Sequence, residues 1–479
     1  MCSIDIHIME NNGKYVVFHP ETFSLFNVSK EIGEILKFYE EESKDIHVIA
    51  KKFNVIENYI MDILKYIQQK SSLNLTKNLE WTNGVPRTLC LIISQDCNLR
   101  CAYCYADHGT YMREKRLMDI ETAKKSIDKL FSCNSLNTIL FFGGEPLLNF
   151  SLIKEIDSYM MAVGLNVKYT AVTNGTIMND EMKHFINNKF FNLCISLDGI
   201  KEINDQQRYG NVESVHDCVI KTLEELKYRK YSISIKSIIT KLGVDRLEEV
   251  ETYIGCLNID STAIEPVNEV QPDSRFYISD EEYVKYIQNL AHIFRKYIHE
   301  LAKGNELVLN YTVFDIILHM LTRTRKINMC SAGREYLAIT ADGDVFPCHR
   351  FIGLEEFNMG NVHDNNFPDN RFIKIKSMFN DKNIDDLEKC SICWARYLCG
   401  GDCDCDSYIN KNDISYPTER RCLLMKTIIN TLMPEIANIF LDETKTKNLL
   451  NGMKFTFKAD LPTIRNTYRD HPGHHSAHW

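Results

Sequence analysis

The 479-residue sequence contains no apolar run approaching the ~20 residues that a helix needs to cross a bilayer. It also lacks an excess of basic residues. Its 56 Lys and Arg against 65 Asp and Glu give a formal net charge of −9, and nothing in that balance favours a nucleic-acid backbone as partner. The first residues, MCSIDIHIMENNGKY, have neither a basic region nor an apolar core and do not read as a secretory signal. These absences point to a cytoplasmic protein with no membrane and no nucleic acid among its partners. The rest of the composition, 44% hydrophobic and 25% charged, is that of a globular chain long enough for two to four domains.

What the sequence has in excess is cysteine. There are seventeen, and a cytoplasmic compartment keeps thiols reduced, which excludes a disulfide framework. Clustered cysteines in that setting bind metal or carry redox chemistry. Three fall between residues 97 and 104 and eight between 330 and 422. Cys2, Cys90, Cys133, Cys194, Cys218 and Cys256 are scattered. Of these, Cys90, Cys194 and Cys256 sit in apolar surroundings and read as small buried hydrophobes.

Residues 1–75 read as a separate unit. Strand-like stretches at Ile4–Ile8, Tyr15–His19 and Ser24–Asn27 precede helices near Lys30–Tyr39, Ile46–Phe53 and Ile56–Gln69. Ser29 is the expected cap of the first helix, and Ile60, Ile63, Leu64 and Ile67 recur at helical spacing in the third. Gly84-Val85-Pro86 marks a linker. From residue 86 to 270 apolar runs alternate with amphipathic segments. The runs are Leu89–Ile93, Thr138–Phe142, Lys168–Val172, Phe191–Leu197, Ile233–Ile239 and Thr262–Val267. Six such repeats imply parallel strands with right-handed crossovers. The expected fold is α/β, a partial (β/α)6 barrel of the TIM type, with chemistry at the C-terminal ends of the strands. The sequence meets that rule. Cys97, Cys101 and Cys104 follow the first strand, Gly143-Gly144-Glu145 the second, Thr173-Asn174 the third, and Ser196-Leu197-Asp198 the fourth. Residues 271–329 read as a helical bridge and 330–440 as a cysteine-rich segment, ending in a helix near 423–440. Residues 441–479 read as a tail, closing in HPGHHSAHW.

Cys97-x3-Cys101-x2-Cys104 offers three thiols in one loop, whereas an iron–sulfur cube takes four. No fourth cysteine lies nearby, so a cube on these three thiols would leave one iron open to an exogenous ligand, unless the three thiols are coincidental. A zinc site completed by His108 is the alternative. CNLRCAYCY, including Tyr103, resembles the signature of the radical S-adenosylmethionine (SAM) superfamily. In that family the open iron is chelated by the amino and carboxylate groups of SAM, and reductive cleavage gives a 5′-deoxyadenosyl radical that abstracts hydrogen from the substrate. The resemblance implies that Gly143, Gly144 and Glu145 receive the methionine amino group. It also implies that Thr173, Asn174, Ser196 and Asp198 hold the ribose or carboxylate, and that Arg208 pairs with the carboxylate.

The later array runs Cys330, Cys348, Cys390-x2-Cys393-x5-Cys399-x3-Cys403 and Cys422. It is similar to the SPASM extension of the superfamily, which carries two auxiliary [4Fe–4S] clusters and would bring the total to three. A zinc ribbon built from Cys390, Cys393, Cys399 and Cys403 is the alternative, and it leaves the other cysteines unexplained. The SPASM resemblance implies an outer cluster on Cys390, Cys393, Cys399 and Cys422, and an inner one on Cys330, Cys348 and Cys403. Ser331–Ala341 contains no cysteine where some members supply an eighth. Either the inner cluster keeps an open iron or Cys405 fills it.

The N-terminal plan, three strands and then three helices, resembles the winged-helix-like peptide-recognition element of maturases acting on ribosomally made peptides. An exposed third strand there would accept a leader peptide as an added strand. The expected function is a radical SAM peptide maturase served by a flavodoxin or ferredoxin. Its expected product is a thioether from a peptide cysteine to carbon. The alternatives are a carbon–carbon cross-link, residue oxidation of the sulfatase-maturase kind, or a non-enzymatic iron–sulfur sensor.

Overall fold

The computed structural model describes residues 4–11, 13–72, 77–78, 86–131, 135–268 and 270–453. The linker at Gly84-Val85 and the histidines of the last segment lie outside the described residues, as do Cys2 and Cys133. In the N-terminal unit β1 (His7–Asn11), β2 (Lys14–His19) and β3 (Ser24–Val28) form an antiparallel meander with β2 in the centre. Helices α1 (Lys30–Glu41), α2 (Ile46–Phe53) and α3 (Glu57–Ser72) follow. Ser29 accepts the Ile32 N–H and Asp45 accepts the His47 N–H, which satisfies donors that the helix starts leave open. Val17, Ile35, Leu36, Ile49 and Ile60 are fully buried between the layers. The first strand begins three residues later than its apolar alternation suggests. Ile4 and Ile6 are buried beside the sheet but make no ladder.

A short strand β4 (Lys77–Asn78) leads to the central sheet. The six apolar runs form its parallel strands, β5 (Thr88–Ser94), β6 (Thr138–Gly143), β7 (Lys168–Thr173), β8 (Phe190–Ser196), β9 (Ser232–Ile239) and β10 (Ser261–Pro266), each paired with its sequence neighbour. Every residue of β5 is buried, as expected for a strand covered on both faces. The sheet continues past these six. At one edge β11 (Leu309–Asn310) adds parallel to β10. A strand β12 (Thr324–Arg325) pairs separately with β4. At the other edge β13 (Tyr336–Ile339) lies parallel to β5, and β14 (Val345–Phe346) turns back on β13. The cysteine-rich segment is thus built onto the barrel sheet, a continuity that its fading periodicity did not reveal.

The bridge centres on the helix Asp280–Lys303, opened by a reciprocal Ser279–Glu282 capping box and closed by Gly304 at φ +95°. It packs against the helix Glu419–Ile439. The expected tail needs correction at its start, because Glu443–Gly452 is a helix on the same bridge. Leu449 there is fully buried, and Asn448 Nδ2 donates to the Ala302 carbonyl at 3.1 Å. Its polar sequence hid a narrow apolar contact. Cys90 and Cys194 are buried as expected, but Cys256 is exposed, since it falls at the helix end after Gly255.

The N-terminal unit sits on the loop between Cys393 and Cys399. Trp394 stacks on His7 at 3.7 Å between ring centroids, 6° from parallel, and meets Phe18 edge-on. The buried Arg396 guanidinium donates to Asp5 at 3.1 Å and also pairs with Glu21. Arg325 holds the Glu21 carbonyl and carboxylate from the other side. We expect Asp5→Asn with Glu21→Gln to weaken this docking by about 1–2 kcal/mol, discounted for the partly exposed carboxylates. Hydrogen exchange would show β1 and β3 losing protection while β5–β8 keep theirs. Equal loss in both regions would contradict a local interface.

Candidate active site

The loop after β5 is held against the turn after β6 by backbone hydrogen bonds. The Gly144 N–H donates to Ser94 O at 2.8 Å and the Glu145 N–H to Asp96 O at 2.9 Å. The approach is closer than any side chain permits. A Cβ on Gly143, at φ +134°, would lie 2.2 Å from Ser94 O. One on Gly144 would lie 2.2 Å from Asp96 O, and one on Gly109, at φ +96°, 2.4 Å from Gly144 Cα. The loop bends back through Asp107 and His108, both non-glycine residues at positive φ (45° and 56°). That strained turn aims the His108 N–H at Cys104 Sγ, 3.2 Å away, while the Leu99 N–H reaches Cys97 Sγ at 3.4 Å. Arg100 closes the loop from within by donating to the Cys97 and Leu99 carbonyls.

One pocket opens over these turns. Cys97, Cys101, Cys104 and Tyr103 are on its wall, together with Gly143, Gly144, Thr173, Asn174, Ser196 and Arg208. Two expected contacts sit behind that wall instead. Glu145 is fully buried, and its carboxylate accepts from the Leu147 N–H, Thr173 Oγ1 and the Asn174 N–H at 2.7–3.0 Å. It ties the β6 turn to the β7 turn. Burial outweighs these three donors and raises its carboxyl to about 7. Asp198 is equally buried, accepting from the Ile238 N–H, Gln207 Nε2 and Tyr103 OH. Arg208 Nη1 donates to the same Tyr103 hydroxyl at 2.5 Å and lies 3.7 Å from Asp198. Tyr103 is therefore a link between the cysteine loop and a buried ion pair.

The cysteines fall into three sets. Burial pushes the Cys97 thiol up to about 12, with Glu145, Cys101 and Cys104 adding repulsion. Cys101 is raised to about 11 by burial and Cys104 against the pull of Arg208. Cys390 is raised to about 12 by burial and by Cys399, Cys422 and Cys393 around it. Cys422 is raised to about 11, again by burial first. Cys348 is raised by burial, Cys330 and Cys405, and Cys403 by burial, Asp406, Cys405 and Cys330. Cys405 thus stands with the inner three. Thiols so placed ionise only against a cationic partner, and bound metal supplies one. Among the described residues no three His, Cys, Asp or Glu side chains close on one point as ligands of a single ion do. Ligands of a cube sit at separate corners, so the grouping fits iron–sulfur clusters better than zinc at His108 or a zinc ribbon.

The pocket also fits a small ligand of mixed charge. Arg208 Nε and His108 Nδ1 are buried without a hydrogen-bond partner, both on residues that line it. The glycine turns leave backbone open to close approach.

Residues 91–255 match the radical SAM superfamily, and residues 330–394 match the SPASM iron–sulfur cluster-binding domain. The chain is a radical SAM enzyme with a SPASM domain. A cysteine-type anaerobic sulfatase-maturating enzyme of Clostridium novyi is 24% identical over 326 residues, 65% of this chain and 85% of the relative. The radical SAM cyclopropyl synthase TigE of Paramaledivibacter caminithermalis is 25% identical over 484 residues, 91% of this chain and 97% of its own. Among solved structures, Streptococcus suis SuiB bound to the precursor peptide SuiA superposes with a TM-score of 0.51 at 16% identity, covering 88% of this chain and all of SuiB.

Several wall residues of the radical SAM pocket escaped the sequence reading. Lys236 and Glu265 form an ion pair across β9 and β10, and Arg350 reaches in from the SPASM domain. The signal was a charge inside each apolar run, at SIKSI and AIEPV. Gly109 gave no signal, because its neighbour Gly144 lies 35 residues away in sequence. We expect Gly109→Ala to cost about 3 kcal/mol or more, from overpacking. Gly164→Ala, at φ +70° with open space around it, should keep full iron occupancy. Iron analysis after reconstitution should show Gly109→Ala holding less iron than Gly164→Ala. Equal occupancy in the two variants would remove the role given to the Gly109–Gly144 contact.

Proposed function

We propose that this radical SAM enzyme is a maturase of a ribosomally made precursor peptide and forms a carbon–carbon bond within it. The observation that carries the peptide reading is the N-terminal unit, a meander whose outer strand β3 pairs, among the described residues, only with β2 and which is docked on the SPASM domain of the same chain. A leader segment added to β3 would be held beside the auxiliary domain. SuiB, whose structure includes a bound precursor peptide, has its fold along 88% of this chain.

Cys97, Cys101 and Cys104 would hold the SAM-binding cluster. The backbone of Gly143 and Gly144, with Thr173, Asn174, Ser196 and Arg208, would hold SAM, while Glu145 and Asp198 fix the wall from behind. With reducing equivalents from a flavodoxin or ferredoxin, the bound cofactors supply hydrogen-atom abstraction. The chain's own residues orient the ligands and exclude water. A second cavity of about 560 Å³ shares Glu265, Pro266 and Asn268 with the cofactor pocket and runs between the bridge and the helix Glu419–Ile439. Its size and its tyrosine lining, at Tyr277, Tyr283, Tyr286 and Tyr311, suit a short stretch of polypeptide.

An open iron in the inner set would favour a thioether, because it could hold a substrate thiolate. Cys405 stands with that set, which weakens this support. A relative that covers 91% of this chain is a cyclopropyl synthase, which favours the carbon–carbon alternative. The test uses the short peptides encoded beside the gene, incubated anaerobically with reconstituted enzyme, reductant and SAM. Mass spectrometry should show release of 5′-deoxyadenosine and loss of two hydrogens from one peptide. Every peptide cysteine should remain open to iodoacetamide. A consumed thiol would establish the thioether instead, and full cofactor cleavage with no change in any peptide would reject the maturase reading.

A further inference from the structure

We infer that Cys405 is the fourth ligand of the inner auxiliary cluster and that this cluster has no iron position open to substrate. The inference rests on the reading of Cys330, Cys348 and Cys403 as cluster ligands, and adds a residue that lies beyond the matched SPASM segment, which ends at 394. Cys405 is in the first turn of the helix Asp404–Lys411 and is 1% exposed. Cys348 and Cys403 both have Cys405 as a charged neighbour, and both also have Cys330. One residue pins the pair. Arg350 Nη1 donates to Cys403 Sγ at 3.4 Å, while the Arg350 carbonyl accepts from Cys405 Sγ at 3.2 Å. Arg350 Nη2 also pairs with Asp406 at 2.7 Å, anchoring the start of that helix.

The two residues beside Cys405 are both acidic. Asp406 is held by Arg350 and Asn268. Asp404 pairs with Lys382 through Oδ1, but its Oδ2 is buried without a hydrogen-bond partner, 3.6 Å from Arg334, and makes Asp404 the competing carboxylate. His349 is the competing imidazole, being next to Cys348, and its Nδ1 meets Tyr336 OH at 2.8 Å and lies 3.5 Å from the Cys348 sulfur. Cys405, by contrast, is a buried thiol in a group of four. The close spacing of Cys403 and Cys405 is met by the backbone. Gly400 and Gly401 are at positive φ, and Cys403 is extended before the helix begins, so the two sulfurs leave the chain from different backbone conformations.

The consequence is chemical. A four-thiolate cube stores and passes electrons but does not take a substrate thiolate. The test is spectroscopic and uses no peptide, so its failure is distinguishable from failure of the maturase reading. In the full chain bearing Cys97→Ala, Cys101→Ala and Cys104→Ala, only the auxiliary clusters form. Titration of this protein with free cysteine should leave its electron paramagnetic resonance spectrum unchanged. Adding Cys405→Ser should make one cluster lose an iron on mild oxidation, giving a three-iron signal, whereas Asp404→Asn and His349→Ala should not. A spectrum that shifts with free cysteine while Cys405 is intact would overturn the inference. So would an unchanged response to oxidation in the Cys405→Ser protein. Should Cys405→Ser fail to fold, the cysteine titration of the parent decides alone.

Discussion

The rest of the site depends on one backbone contact that leaves no room for a side chain. Gly109, on the return of the cysteine loop, lies against Gly144 at the end of β6, and Gly143 and Gly144 lie against the carbonyls of Ser94 and Asp96. This brings the loop carrying three thiols down onto the rim of the parallel sheet. From there Glu145 ties β6 to β7, and Asp198 with Tyr103 and Arg208 ties the loop to β8. Two buried carboxylates thus act as struts behind the wall. Three hydrogen bonds to each offset part of their desolvation cost, which is how buried acids are tolerated.

The SPASM domain is part of the same construction. β13 extends the barrel sheet next to β5, so the inner thiols are placed relative to the first set by a hydrogen-bonded ladder. Arg350 touches Cys403 and also lines the pocket over the first three thiols, which makes it a protein link between the two. On the far side, Trp394 and Arg396, from the loop of the outer thiols, carry the N-terminal unit. The N-terminal unit, the SPASM domain and the barrel therefore share one continuous frame.

Much of this was legible in the sequence because apolar strands and fixed cysteine spacings are local signals. All six barrel strands fall where their apolar runs lie, and each motif falls at a strand end. What was hidden has a common cause, dependence on partners distant in sequence. β13 is four residues long and is recognisable only by its pairing with β5, some 250 residues earlier. The helix Glu443–Gly452 buries little more than Leu449. The Arg396 pairs with Asp5 and Glu21 span nearly the whole chain. Glu145 and Asp198 were picked out by motif, but a motif does not say whether a carboxylate faces the ligand or braces the wall.

The most direct measurement is electron–nuclear double resonance on the reduced, reconstituted enzyme with SAM labelled at its amino nitrogen. A nitrogen hyperfine coupling to one cluster is expected. It should vanish in Cys101→Ala, on the wall of the cofactor pocket, and persist in Cys393→Ala, in the outer set. Absence of the coupling, or its survival in Cys101→Ala, would contradict the placement of SAM over the three-thiol loop.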